Sequence, residues 1–265
     1  MRMTLFRKMY RDHWKSLIAW GLVIVFMVTV QLSVYPAIAK SGEAAKQFID
    51  SYPEAFKKIF RMQDYTTGAG YLGTELFSLM IPLVMIGVGI TWGSSATAEE
   101  EEHGTADLLF SLPIRRRTIL VSRMFATVIA LAGLALITFL NVILLRSHFG
   151  LEVDTLNLFY ACLAQLFLGI FFSGVGYFLG ALTGKKGLSL GVGSGLGIIA
   201  FLFFSLAPLV SNFEYTNPFN PFQWTISRNV LSDGLDVPGI AKLAISSLVL
   251  YGLSMITLDR REIRS

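Results

Sequence analysis

The side chains best suited to chemistry crowd into one stretch, Glu99–Arg123, which reads EEEEHGTADLLFSLPIRRRTILVSR. Four consecutive acids, a histidine, an aspartate and a cluster of arginines could do one of three things. They could hold a metal, move protons, or bind another molecule. Glu101, Glu102 and His103 are metal-ligating types, but adjacent acids more commonly form a solvated helix face. The other histidines, His13 and His148, lie far away in sequence, and no H-E-x-x-H, cysteine cluster or G-x-S-x-G accompanies them. The lone Cys162 excludes an intrachain disulfide and a cysteine-built metal site. Non-covalent recognition remains. Thr97 with Glu100 fits a capping box, and Glu99–Glu102 would then suit the positive end of a short helix. That helix would run through Leu108, Leu109 and Phe110 and stop before Pro113. Arg115, Arg116 and Arg117 would then meet the phosphate layer and anchor the next apolar segment.

The elements around this stretch are those of a membrane protein. Of 265 residues, 54% are hydrophobic and 15% charged, with a mean hydropathy of +0.60; soluble domains average about 25% charged residues. Crossing about 30 Å of hydrocarbon takes about 20 apolar residues. Six runs qualify: Ser16–Tyr35, Leu72–Ser94, Ile119–Leu145, Leu156–Leu182, Leu188–Val210 and Ile240–Leu258. They are continuous rather than alternating, which argues against a β-barrel. Ala37-Ile38-Ala39 resembles a signal-peptidase site, but the apolar run before it is too long for a signal peptide and reads as a retained first span.

Most of the 22 lysines and arginines fall beside one set of loop ends: Arg2–Lys15, Arg115–Arg123, Lys185-Lys186 and Arg260–Arg264. The positive-inside rule therefore places both termini and the Glu99–Arg123 loop in the cytoplasm. The net charge of +4 reflects this topology and does not suggest nucleic-acid binding. Residues 1–15 read as an amphipathic interfacial helix with Phe6, Tyr10, Trp14 and Leu17 on one face; a helical extension of the first span is the alternative. In the outer loops, residues 43–48 and 54–62 look helical, broken at Tyr52-Pro53. The segment 211–239 carries Asn217-Pro218-Phe219-Asn220-Pro221-Phe222-Gln223-Trp224 and suits either a re-entrant turn or an interfacial loop.

Small residues recur every four positions at Gly176, Gly180 and Gly184, at Gly187, Gly191 and Gly195, and again at Gly193 and Gly197. Such spacing lets membrane helices approach closely. Packing of the fourth span on the fifth is preferred to a subunit interface. Gly180–Lys186 has the wrong spacing for a P-loop and lacks the Ser/Thr after Gly-Lys, and Gly191–Gly197 follows no strand, so neither is a nucleotide site. The spans hold almost no ionisable residues. Glu75, Arg123 and Lys242 sit near their ends, and Asn141 and Gln165 are the notable polar ones. Ion-coupled carriers place such groups at membrane depth, so the energy source would lie outside the membrane.

The pattern of acid-x-acid-x-Gly-Thr, paired leucines, Leu-Pro and Arg resembles the membrane subunit of ABC-2-type transporters. The matching residues are Glu100, Glu102, Gly104, Thr105, Leu108, Leu109, Leu112, Pro113 and Arg116, with Arg123 at the start of the third span. The run of four acids is longer than the pattern requires, which leaves the register of the contacting acids open. The resemblance covers nearly the whole chain. It implies an all-α fold of six spans, with an N-terminal interfacial helix and a cytoplasmic coupling helix within 98–118. It also implies a single membrane domain, no catalytic site and no cofactor of its own. A cytoplasmic ATP-binding subunit would carry ATP and Mg, dock on the coupling helix and contact Gly184-Lys185-Lys186-Gly187 more weakly. A second identical or similar permease subunit would complete a dimer in the plasma membrane. The expected cargo is an amphipathic or lipid-like molecule, drug or peptide, most simply exported. An intramembrane enzyme and a non-transporting scaffold or sensor are the rival readings.

Overall fold

The structure is a computed structural model that describes residues 2–60, 64–102, 104 and 116–260. The protein is all-helical. Its long helices are α1 (Arg2–Asp50), α4 (Ile81–Glu102), α5 (Arg116–Arg146), α6 (Thr155–Thr183), α7 (Lys186–Leu206) and α11 (Val237–Arg260). The shorter ones are α2 (Glu54–Phe60), α3 (Gly68–Leu72), α8 (Ser211–Glu214), α9 (Pro221–Ile226) and α10 (Val230–Asp233). Between α3 and α4 the chain stays helical as a π-helical stretch, Gly73–Met80. Among the described residues, six segments are long and apolar enough to cross a membrane: Phe6–Ser41, Gly68–Glu99, Arg116–Arg146, Thr155–Thr183, Lys186–Leu206 and Val237–Arg260.

The amino-terminal segment differs from the expected separate interfacial helix. α1 runs through without a break. Its first turns pack inward: Met9 is buried, Tyr10 and His13 meet the edge of Trp92, and the Tyr10 hydroxyl donates to the Ala126 carbonyl at 3.1 Å. An aromatic that ends in a donor finds a better site against protein carbonyls than in lipid. The helix also continues past the apolar run, because Ser41–Asp50 supplies alanine, glutamate, lysine and glutamine, all good helix formers in water apart from its single glycine. It ends at Asp50, just ahead of Tyr52-Pro53, where the proline disfavours helix.

α6 is the central post of the bundle, touching α4, α5, α7, α9, α10 and α11. Its start is capped by Asp154, which accepts from the Asn157 N–H at 2.9 Å, and it ends at Gly184 in the left-handed region (φ 61°). α4 packs most intimately on α6, and glycine makes that possible. A β-carbon on Gly89 would come within 2.5 Å of the Gly169 carbonyl oxygen, and one on Gly176 within 2.7 Å of the Ile90 carbonyl oxygen. One on Gly93 would overlap the Ser173 carbonyl oxygen, and one on Gly180 the Thr97 hydroxyl. Hydroxyl pairs lock the neighbours: Thr127 with Tyr177 at 2.9 Å and Ser173 with Tyr251 at 2.6 Å. Gly187, Gly191 and Gly195 differ from expectation. They face open space, and α7 instead packs through Gly193 against Ile90 and through Gly197 against Ile86 and Phe172. Two overlapping stripes share this helix, and only the 193–197 stripe points inward.

The π-helical stretch has a consequence for the packing around it. In its register the Ile81 N–H bonds to the Leu76 carbonyl, so the next donor would be residue 82, a proline without an N–H. The Phe77 carbonyl is thereby left without a backbone donor, and the Gln165 side-chain amide supplies one at 3.0 Å. Gln165 is 1% exposed. Gln165→Leu is expected to lower stability by about 1–3 kcal/mol, the cost of an unsatisfied buried carbonyl. Equilibrium unfolding in mixed micelles measures it. Adding Pro82→Ala, which restores an N–H, should recover much of the loss; failure to recover would remove this account of the pairing.

Within 211–239 the chain packs back against α7. Asn220 caps α9, accepting from the Phe222 N–H at 3.0 Å, and its amide donates to the Ala200 carbonyl at 2.8 Å. Ala200 lies six residues before the end of α7, about 9 Å down the helix. Phe222 is fully buried among Phe172, Phe201 and Phe204.

Candidate functional site

The expected site splits on inspection. Thr105, Leu108, Leu109, Leu112 and Pro113 lie outside the described residues, as does His103 of the possible metal trio. Glu99–Glu102 belong to the last turn of α4, not to the start of a new helix. The capping box is therefore absent. Thr97 is inside α4 and buried, and its hydroxyl leans on the Gly93, Ser94 and Tyr177 carbonyls at 3.3–3.5 Å. The space for it exists because residue 180 is glycine. The acids consequently sit at the carboxyl end of a helix, where the macrodipole disfavours them by about 0.3–1 kcal/mol each.

Part of that cost is offset by side chains from other helices. Lys186, at the start of α7, donates to Glu99 at 3.0 Å, and His13 of α1 lies 3.8 Å from the other oxygen of Glu99. Arg123 of α5 is buried and donates to the Ala96 carbonyl at 2.6 Å, near the end of α4. Lys8, Met9, Asp12, His13, Glu99 and Arg123 enclose a small hollow here. Gly104 takes φ 66° and its N–H bonds back to the Glu101 carbonyl at 3.2 Å.

Of the three arginines expected to meet the phosphate layer, Arg115 lies outside the described residues and the other two contact α11. Arg116 opens α5 and donates to the Leu258 carbonyl at 3.3 Å. Arg117 pairs with Asp259 at 2.6 Å. Both grip the end of α11. Of the matched residues that are described, Glu102 is exposed, Gly104 is exposed, and Arg116 is half-buried against α11. Glu100 lies on the last turn of α4. Lys185 is exposed, whereas Lys186 is committed to Glu99.

The result is a junction where the ends of α1, α4, α5, α7 and α11 are cross-tied within one layer. Sequence reasoning missed Glu99, Lys186 and His13 as a set, because their positions along the chain share no motif. It also missed Gly89 and Gly93, whose four-residue spacing was visible.

The family model for the ABC-2 family transporter protein matches residues 3–263. That match spans nearly the whole chain, spans and junction alike. The chain belongs to the ABC-2 transporter family. No curated protein matches it. As an ABC-2 family member with six membrane-crossing helices, it is a membrane permease subunit of an ABC transporter, and its role is transport.

Proposed function

We propose that this permease is driven by a separate cytoplasmic ATP-binding subunit that docks on the connection between α4 and α5. A second identical or similar permease subunit completes the transporter. In this reading ATP and Mg reside on the motor subunit, both termini face the cytoplasm, and the transporter exports an amphipathic molecule. The observation that carries it is the cross-tied junction. The acid-rich end of α4 is linked to α7 by Lys186–Glu99, and the start of α5 is linked to α11 by Arg117–Asp259. A motor pushing the intervening connection would move four spans together. Nucleotide can shift that equilibrium only through contacts that differ between the two states. In this reading Glu102 and Lys185, both exposed, make them.

Purification of the chain from its host in a mild detergent, with mass spectrometry of co-purifying proteins, tests the reading. A stoichiometric soluble protein with a P-loop is expected. Recovery of the chain without an ATPase across several mild conditions would overturn it in favour of a scaffold.

A further inference from the structure

At the opposite end of the bundle from the junction, α2, the π-helical stretch and the end of α7 enclose a cavity of about 500 Å³. Its walls are largely apolar and aromatic, with Tyr52, Phe56, Phe201 and Phe204 among them. One carboxylate lines it, that of Glu75. Among the described residues Glu75 forms no ion pair; it accepts a hydrogen bond from the Tyr65 hydroxyl at 2.5 Å. Tyr65 in turn packs edge-on against Tyr71, and burial together with Glu75 raises its hydroxyl pKa well above the usual value. The carboxylate is therefore tethered by Tyr65 on the π-helical stretch.

We propose that this cavity binds an ammonium or other soft cation carried on a hydrophobic body, with the charge at Glu75 and the body against Phe56, Phe201, Leu202 and Phe204. A lone carboxylate in an apolar wall attracts a cation strongly because little water competes. Aromatic faces hold a diffuse cation better than a hydrated one. A neutral ligand gains at most a hydrogen bond from Glu75, and an anionic one is repelled. As cargo, such a cation rests on the permease reading above; as a ligand it does not. The shared chemistry also occurs in an ethanolamine or choline lipid headgroup.

The probe is radiolabelled tetraphenylphosphonium, with tetraphenylborate as an anion of nearly the same shape, on the full chain in phosphatidylglycerol nanodiscs. Saturable binding of the cation, and not of the anion, is expected. Glu75→Gln still accepts from Tyr65 but loses the charge, and should weaken binding roughly tenfold or more. Leu202→Trp, which fills the cavity without touching charge, should abolish it. Equal binding of both ions, or unchanged affinity in Glu75→Gln, overturns the site. Nanodiscs containing phosphatidylethanolamine separate the sources. Displacement of the probe there assigns the site to a lipid headgroup, and undiminished binding assigns it to a free amphiphile. No motor subunit is needed, so this site can fail while the motor co-purifies, or hold while it does not.

Discussion

Gly93→Ala is expected to abolish stable folding of the permease, whereas the same change at Gly191 is expected to be neutral or mildly stabilising. The added methyl is identical, and the surroundings decide. At Gly93 it would overlap the Ser173 carbonyl oxygen and crowd the Tyr177 N–H at 2.8 Å. Both are backbone atoms of α6, so relief requires the helices to separate along their whole contact. Overpacking of a tight core costs about 1–3 kcal/mol, occasionally more. Membrane helices associate largely through such packing, with no hydrophobic gain to compensate. Even 2 kcal/mol shifts the folded ratio by about thirtyfold. At Gly191 nothing lies near, and replacing a helical glycine recovers up to about 1 kcal/mol of propensity. Monodispersity and melting temperature in detergent measure both. If Gly191→Ala folds but loses transport, its stripe is a subunit contact.

How far each element could be read from the chain depended on whether its cause was local. The six spans follow from apolar runs, which report the environment of each helix directly. The ends were harder. Hydropathy falls at Ser94, yet α4 continues to Glu102, because Thr97 is buried in a notch left by Gly180, more than eighty residues on. The capping pattern at Thr97 was locally sound and lost to that tertiary contact. The interfacial helix failed similarly. Tyr10 looked membrane-facing until Trp92 and the Ala126 carbonyl were placed beside it. Gln165 stood out as a polar residue in a span, but its purpose depends on Pro82 and on the π register between them. Asn141 was equally visible, and it ties α5 to α1 by donating to the Val25 carbonyl at 3.1 Å. Glu75 was legible as a charge near a span end. Its cavity was not, since the walls come from three separate segments.

Reversing Glu100 and Glu102 together to lysine should uncouple the transporter without harming its fold. The acids occupy the last turn of α4, where the helix carries its negative end and cations are the favoured occupants by about 0.3–1 kcal/mol each. A sequence selected for stability alone would not place four acids there, and such breaches of local preference tend to mark functional sites. Glu99 is accounted for within the fold by Lys186 and His13. Glu102 is exposed, available to a partner. The double reversal therefore relieves a local penalty, and the melting temperature should hold or rise. Motor docking should suffer, because charges complementary to a partner become repulsive ones, an effect that reaches several kcal/mol when the contact is desolvated. ATPase stimulation and substrate transport in reconstituted vesicles should both fall, on the order of tenfold or more. Glu99→Lys is the informative contrast. It faces Lys186 at close range, so it should lower the melting temperature as well. Normal coupling in the Glu100/Glu102 variant would place the motor elsewhere. A fall in its melting temperature equal to that of Glu99→Lys would instead make the acid run a structural clamp.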